Sequence, residues 1–170
     1  MLALSLTGFN NSTIPRDIKI IGDSAFHNCS GLTSISLPSS LTSIGIYAFY
    51  DCSGLTSISL PSSLTSIGEW AFYGCDGLTG ELNLGECTSL TSIGDNAFQY
   101  CDGLTGALNL GGCTSLTSIG SYAFRGCNGL TGELNLGGCT SLTSIGDRAF
   151  DGCDGLTGTV TIPASVTEIG

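Results

Sequence analysis

The dipeptide Ile-Gly returns at Ile21, Ile44, Ile67, Ile93, Ile119, Ile145 and Ile169, in steps of 23, 23, 26, 26, 26 and 24 residues. A period of this size leaves few folds open. One repeat is too short to enclose a core of its own, so each coil must bury its apolar side against the next, and the result is a solenoid. The 170 residues are read as one β-rich solenoid domain, 1–170, of about six to seven coils. Residues 1–13 are expected to form an irregular N-terminal cap or edge strand, because "MLALSL" alternates apolar and polar positions.

The pattern inside one coil predicts its course. "LTSISLP" (32–38 and 55–61) puts apolar residues at alternate positions, which reads as a short strand with one face buried. "LTSIG" follows as a second extended piece. Then comes a block such as "DNAFQYC", in which Ala97, Phe98 and Cys101 stand at i, i+1 and i+4. That spacing predicts one helical turn per coil, capped by Asp95 and stopped by Gly103 with positive φ. Asp23/Gly31, Glu69/Gly77, Ser121/Gly129 and Asp147/Gly155 repeat the pair, and Ile46 breaks it. Phe26, Phe49, Phe72, Phe98, Phe124 and Phe150 are expected to stack as one buried column. The 26-residue coils gain one residue where "LTSISL" becomes "LTGELNL" and two where "LPSSL" becomes "LGECTSL".

Charge and composition narrow the function. Only 4 Lys and Arg stand against 14 Asp and Glu, so no basic stripe for nucleic acid or anionic lipid can be built. No apolar run reaches the ~20 residues that span a bilayer, and the first residues lack the basic region of a signal peptide. The 9 cysteines fall into two columns: Cys29, Cys52, Cys75, Cys101, Cys127 and Cys153, then Cys87, Cys113 and Cys139. They read as a ladder of small, buried, reduced thiols, since the paired C-x-x-C spacing of a zinc site is absent. No cofactor or metal is expected. Asp76, Asp102, Asn128 and Asp154 form a further column. Stacked carboxylates can hold Ca²⁺, but Asp-Gly here reads as the residue pair that makes the turn. Rows of Thr and Ser hydroxyls either order water or form the solvated strand face, where Thr fits well. The single His27 has no nucleophile partner in a recognisable motif, and no acid–base pair points to catalysis, so an enzyme is not expected.

The aromatics carry the functional signal. Every Tyr and the only Trp lie in the slots flanking Ala-Phe: Tyr47, Tyr50, Trp70, Tyr73, Tyr100 and Tyr122. These are also the slots in which the repeats differ most. Exposed Tyr and Trp are typical of binding hot spots. Rings lying flat over neighbouring coils are the alternative, and amphipathic rings serve both purposes. The inner row of the strands offers Ser36, Ser59, Asn83, Asn109, Asn135 and Thr161, small groups that anchor weakly.

The motif L-x-x-I-x-L-P-x-x-L-x-x-I-G-x-x-A-F-x-x-C, running over residues 14–170, resembles the leucine-rich repeats of the BspA-like, or Treponema pallidum, type. The resemblance implies a right-handed leucine-rich repeat superhelix with a parallel sheet on one face. It also implies a non-enzymatic extracellular or cell-surface protein that mediates protein binding or adhesion. "LNLGECTSL" in the longer coils resembles the L-x-L-x-x-C-x-x-L of cysteine-containing leucine-rich repeats, found in intracellular adaptors. Two alternatives therefore stand beside a surface binding module: an intracellular adaptor, and a subunit stacking head-to-tail with like subunits into a filament. Sequons at Asn10, Asn11 and Asn28 matter only for a secreted chain.

Overall fold

The computed structural model describes residues 12–170. Part of the expected N-terminal cap, residues 1–11, therefore lies outside the described residues. The strands, in chain order, are β1 (Ser12–Thr13), β2 (Ile20–Ile21), β3 (Ile35–Ser36), β4 (Ser43–Ile44), β5 (Ser66–Ile67), β6 (Ser92–Ile93), β7 (Ser118–Ile119), β8 (Ser144–Ile145) and β9 (Glu168–Ile169). Seven of them stack in parallel in the order β2-β4-β5-β6-β7-β8-β9, each Ile over the next. Ile44, Ile67, Ile93 and Ile119 turn inward and are buried, while the Ser beside each stays partly exposed. The fold is thus a parallel β-solenoid.

The continuous ladder follows the Ser-Ile column rather than the "LTSISL" column. At the latter only β1 and β3 pair, and elsewhere isolated bridges join Ser34 to Ser57 and Asn83 to Asn109 to Asn135. Glycine explains the interruption in the longer coils. Gly80, Gly106, Gly132 and Gly158 have φ of 80°, 80°, 77° and 89°, and absorb the extra residue of "LTGELNL" as a kink. The Ser-Ile ladder is reinforced by threonine. Thr65, Thr91, Thr117 and Thr143 each direct both the backbone N–H and Oγ1–H to the preceding Thr carbonyl. Those hydroxyl protons hold coils together instead of facing water.

The expected helical turn does not form; no helix occurs among the described residues. The reason lies in where the backbone N–H groups go. In the second coil Tyr47, Phe49 and Asp51 donate to Glu69, Ala71 and Tyr73 of the next coil. Only the intervening Ala48, Tyr50 and Cys52 bond locally, to the residue three before. A helix needs every interior N–H for itself, and a stacked coil exports every second one. The chain achieves this with left-handed residues four apart, φ 56° at Tyr47 and 51° at Asp51. The i, i+1, i+4 burial survives: Ala48, Phe49 and Cys52 are all inside.

The expected caps and stops change role accordingly. Asp95 Oδ1 accepts the N–H of Ser121 in the next coil at 2.7 Å, and Asp23 Oδ1 accepts that of Ile46 at 2.8 Å. The glycines after the Cys column, Gly31, Gly77, Gly103, Gly129 and Gly155, do not have positive φ. At Gly77 and Gly103 glycine serves close approach, because a Cβ would run into the carbonyls of Ser53 and Leu78 in the preceding coil.

Columns of Ile, Leu and Ala fill the core around two further ladders, one of Phe and one of Cys. Phe49, Phe72, Phe98 and Phe124 are fully buried, with Phe26 and Phe150 partly covered at either end. Neighbouring rings stack nearly parallel at 5.0 to 5.6 Å between centroids. Beside them the thiols form a second ladder. Cys52, Cys75, Cys101, Cys127 and Cys153 each donate to the carbonyl of the Phe one coil back, at 3.0 to 3.1 Å. Cys113 and Cys139 do the same to Leu84 and Leu110. Cysteine suits the site because it packs as a small hydrophobe and still brings a donor. Burial pushes the thiols up from an ordinary 9.0, to about 12 for Cys52 and Cys113 and about 11 for Cys153. All nine are unpaired.

Candidate functional site

Three side-chain columns leave the outer edge of the coils around each Ala-Phe pair. The first holds Ser24, Tyr47, Trp70, Asn96, Tyr122 and Arg148. The second, directly after Phe, holds His27, Tyr50, Tyr73, Gln99, Arg125 and Asp151. The third holds Asn28, Asp51, Gly74, Tyr100, Gly126 and Gly152. The first and third columns are the left-handed positions of every coil, with φ between 51° and 75°. This conformation suits Gly, Asn and Asp and opposes a bulky side chain. Tyr47, Trp70, Tyr100 and Tyr122 occupy it nonetheless.

The rings of the first coils form one surface. His27, Tyr50 and Tyr73 stack in file, with centroids 4.9 and 4.8 Å apart and planes within 9°. Tyr47 and Trp70 run beside them, 6.1 Å apart. Tyr47 meets Tyr50 edge-on at 5.5 Å, and Trp70 leans on Tyr73 at 5.0 Å. Tyr73 meets Tyr100 edge-on at 5.5 Å. Among the described residues no ring contact reaches Tyr122; Arg125 makes the link, its guanidinium 5.9 Å from the Tyr100 ring centre and 5.4 Å from that of Tyr122. Asp151 holds the guanidinium from the other side at 3.0 Å. The six aromatics expected from sequence thus lie in one band, five of them linked ring to ring and Tyr122 through a cation.

The band is half open. Tyr47 and Tyr100 are 38% and 39% exposed, and Tyr50, Trp70, Tyr73 and Tyr122 are partly covered. Tyr100 can lie flat because Gly126 stands beneath it in the next coil; a Cβ there would sit 2.7 Å from the ring. The Tyr50 hydroxyl is held above its ordinary value by burial and then by the Asp51 carboxylate. Burial does the same for Tyr73, with Tyr100 and Asp51 adding to it.

Sequence reasoning passed over four members of the band. His27 and Arg125 belong to the same column as Tyr50 and Tyr73, so the register alone would have placed them. Asn96 and Gln99, at 8% and 5% exposure, are the buried polar residues of the coil between Trp70–Tyr73 and Tyr122–Arg125. Residue type gave no hint of their burial.

The inner row is occupied within its own coils. The side-chain oxygens of Asn83, Asn109 and Asn135 are turned back on their own coils, accepting the N–H of Gly85, Gly111 and Gly137. A shallow groove over the main sheet is lined by Ser92, Ser118 and Ser144 and flanked by Glu69, Asp95 and Glu168. Asp76, Asp102 and Asp154 are exposed, and no group of three potential metal ligands occurs among the described residues. No described helix is long and apolar enough to cross a membrane.

Residues 3–131 and 91–170 match the BspA-type leucine-rich repeat region, in six copies. The fold is similar to that of the Treponema pallidum leucine-rich repeat protein, with a TM-score of 0.79 and 31% identity over 94% of this chain and 73% of that one. It is also similar to a leucine-rich cell surface protein of Faecalibacterium prausnitzii, at TM-score 0.57 and 27% identity over 90% of this chain. This chain spans about half, 47%, of the length of that protein. No curated protein sequence matches the chain. With the repeat motif, the parallel β-solenoid and the family match in agreement, the chain belongs to the BspA-type leucine-rich repeat family.

Proposed function

We propose that this chain is a non-enzymatic, extracellular or cell-surface binding module that adheres to a partner protein through Tyr47, Tyr50, Trp70, Tyr73, Tyr100 and Tyr122. One observation carries this reading: four bulky aromatics sit in left-handed backbone positions, at 56° to 60°. Each such placement costs roughly 1–2 kcal/mol. The coils of Ser24 with Asn28 and of Arg148 with Gly152 have no ring in either column and stack as well, and the other ring-free left-handed positions are filled by Asp51, Gly74, Asn96 and Gly126. The solenoid therefore does not require rings there. Strain kept against the needs of the fold is the mark of a surface held for another purpose.

The surface setting draws on the Faecalibacterium relative, described as a leucine-rich cell surface protein. It predicts that Asn28, exposed within its Asn-Cys-Ser sequon, is open to glycosylation wherever the chain is secreted by a glycosylating cell. The main test is binding of the purified chain to cell-surface and matrix proteins, wild type against Trp70→Ala/Tyr73→Ala. True anchors contribute ≥ ~2 kcal/mol, about a thirtyfold loss of affinity. Equal binding by a folded double variant refutes the assignment.

A further inference from the structure

The band is half furnished with a cation, and that half shows what the other lacks. Around Tyr100 and Tyr122 the Arg125 guanidinium lies over two rings and is fixed by Asp151. Around Tyr47, Tyr50, Trp70 and Tyr73 the same ingredients recur, aromatic faces with an exposed carboxylate, Asp51, beside them. Arg125 reaches this half only through its charge on Tyr73, and among the described residues no cation lies over the rings of Tyr47, Tyr50, Trp70 or Tyr73. Arg125 and Arg148 belong to later coils. Arg16 and Lys19 precede the first of these rings in the chain, and their backbone carbonyls accept from Ser40 and Thr42.

The wider field has the same sign. Exposed carboxylates border the band in two rows: Asp23, Glu69, Asp95 and Asp147 on one side, Asp76, Asp102 and Asp154 on the other. With a net charge of −10, the chain attracts cations and repels acidic segments. Aromatic faces add a local attraction for guanidinium and ammonium groups, strongest at Trp.

Building on the band as a protein-binding surface, we infer that its occupant is a cationic segment of a partner protein. That segment lays arginine or lysine side chains across Tyr47, Tyr50, Trp70 and Tyr73, within reach of Asp51. The segment repeats between molecules what Arg125 does within this one. Sugars also stack on aromatic faces and can donate hydroxyls to Asp51, but a neutral sugar gains nothing from the net charge of the carboxylate rows and would bind almost independently of salt.

Trp70 is the only tryptophan, so its emission reports directly on the band. The full chain is titrated with a peptide of four Arg-Gly-Ser repeats, its citrulline isostere and its glutamate counterpart. The arginine peptide is expected to shift Trp70 emission, and the citrulline peptide to bind at least about tenfold more weakly, as loss of the charge removes both attractions. Raising salt from about 0.05 to 0.5 M should weaken the arginine peptide several-fold through screening. Asp51→Asn keeps a residue that tolerates left-handed backbone, so folding is preserved, and it should weaken binding by about three- to tenfold. Asp154→Asn, in the outer row, should leave binding within about twofold of wild type. Equal binding of arginine and citrulline peptides overturns the inference. So does equal loss from Asp51→Asn and Asp154→Asn, which would mean diffuse attraction to a negative surface. A shift of Trp70 by a neutral oligosaccharide, with none by the arginine peptide, assigns the band to glycans instead. If Trp70→Ala/Tyr73→Ala abolishes capture of a protein partner while the arginine peptide never binds, this inference fails and the binding-surface reading stands.

Discussion

Truncating Phe98 tests the register on which every other assignment depends. Its ring is fully buried and stacked on both sides, 5.0 Å from Phe72 and 5.4 Å from Phe124. Phe98→Ala removes a whole buried ring and both stacks, which puts the destabilisation at about 3–5 kcal/mol. Phe150 is a built-in control. It is only partly buried and has one described stacking partner, Phe124 at 5.6 Å. Its truncation exposes fewer lost contacts and leaves water to fill the gap, so Phe150→Ala should cost about 1–3 kcal/mol. Urea unfolding followed by Trp70 fluorescence and by circular dichroism measures both. The two probes should move together for Phe150→Ala. For Phe98→Ala they should separate, because a break in the middle of a repeat array uncouples the coils on either side. Equal losses for the two variants would refute a continuous column.

Other consequences of the structure are equally direct. Buried thiols should react slowly with a thiol reagent until denaturant is added; rapid labelling of most of the nine in the native state would place the ladder elsewhere. The thiols are raised above 9.0 on folding, to about 11 for Cys153 and about 12 for Cys52 and Cys113. Their contribution to stability is therefore complete below pH 9 and lost as pH climbs through the folded values, so Tm should fall steeply above pH 9, and less steeply in Cys52→Ala. Gly126→Ala puts a Cβ at φ 74° and 2.7 Å from the Tyr100 ring, and should destabilise by about 1–3 kcal/mol in urea unfolding. Arg125→Ala breaks an exposed pair with Asp151 and should change stability by no more than about 1 kcal/mol, although it loosens Tyr122 from the band.

The repeat length and the Ile-Gly register made the solenoid legible, because a stack of near-identical coils has to align like with like. The inward residues were legible too: Ala48, Phe49 and Cys52 are buried as their spacing requires. The backbone between them was not. The spacing i, i+1, i+4 is shared by a helical turn and by two linked turns with left-handed residues four apart. Local pattern cannot separate the two, since the choice is made by the next coil, which accepts the N–H of Tyr47, Phe49 and Asp51. The same cause moved Asp95 from an expected cap to a bridge between coils. Hydrogen bonds that cross from one repeat to another leave no periodic trace beyond the repeat itself. At the candidate site, the aromatics stood out by type, while His27 and Arg125 share the register of Tyr50 and Tyr73 but are not singled out by residue type, and their ring contacts bring them into the band.

The exported hydrogen bonds also explain why a binding surface can sit on this edge at all. Where the coil turns, stacking is carried by backbone donors at alternate residues and by thiols and rings pointing inward. The outward side chains add contacts between coils, as Asp95, the Arg125–Asp151 pair and the stacked rings do, but the backbone ladder does not depend on which residues stand there. The left-handed positions favour Gly, Asn and Asp, so the cheapest solenoid would place them in every coil. The third column nearly does so, with Asn28, Asp51, Gly74, Gly126 and Gly152, and Tyr100 as the departure. The first column departs more often, with Tyr47, Trp70 and Tyr122. Rings in these places destabilise the backbone they stand on. They recover part of that by packing on Tyr50 and Tyr73, whose own positions carry no such strain. A partner that covers Tyr47 and Trp70 would bury the ring surface that packing on Tyr50 and Tyr73 leaves open, which is the use the proposed binding role gives to rings the backbone does not favour.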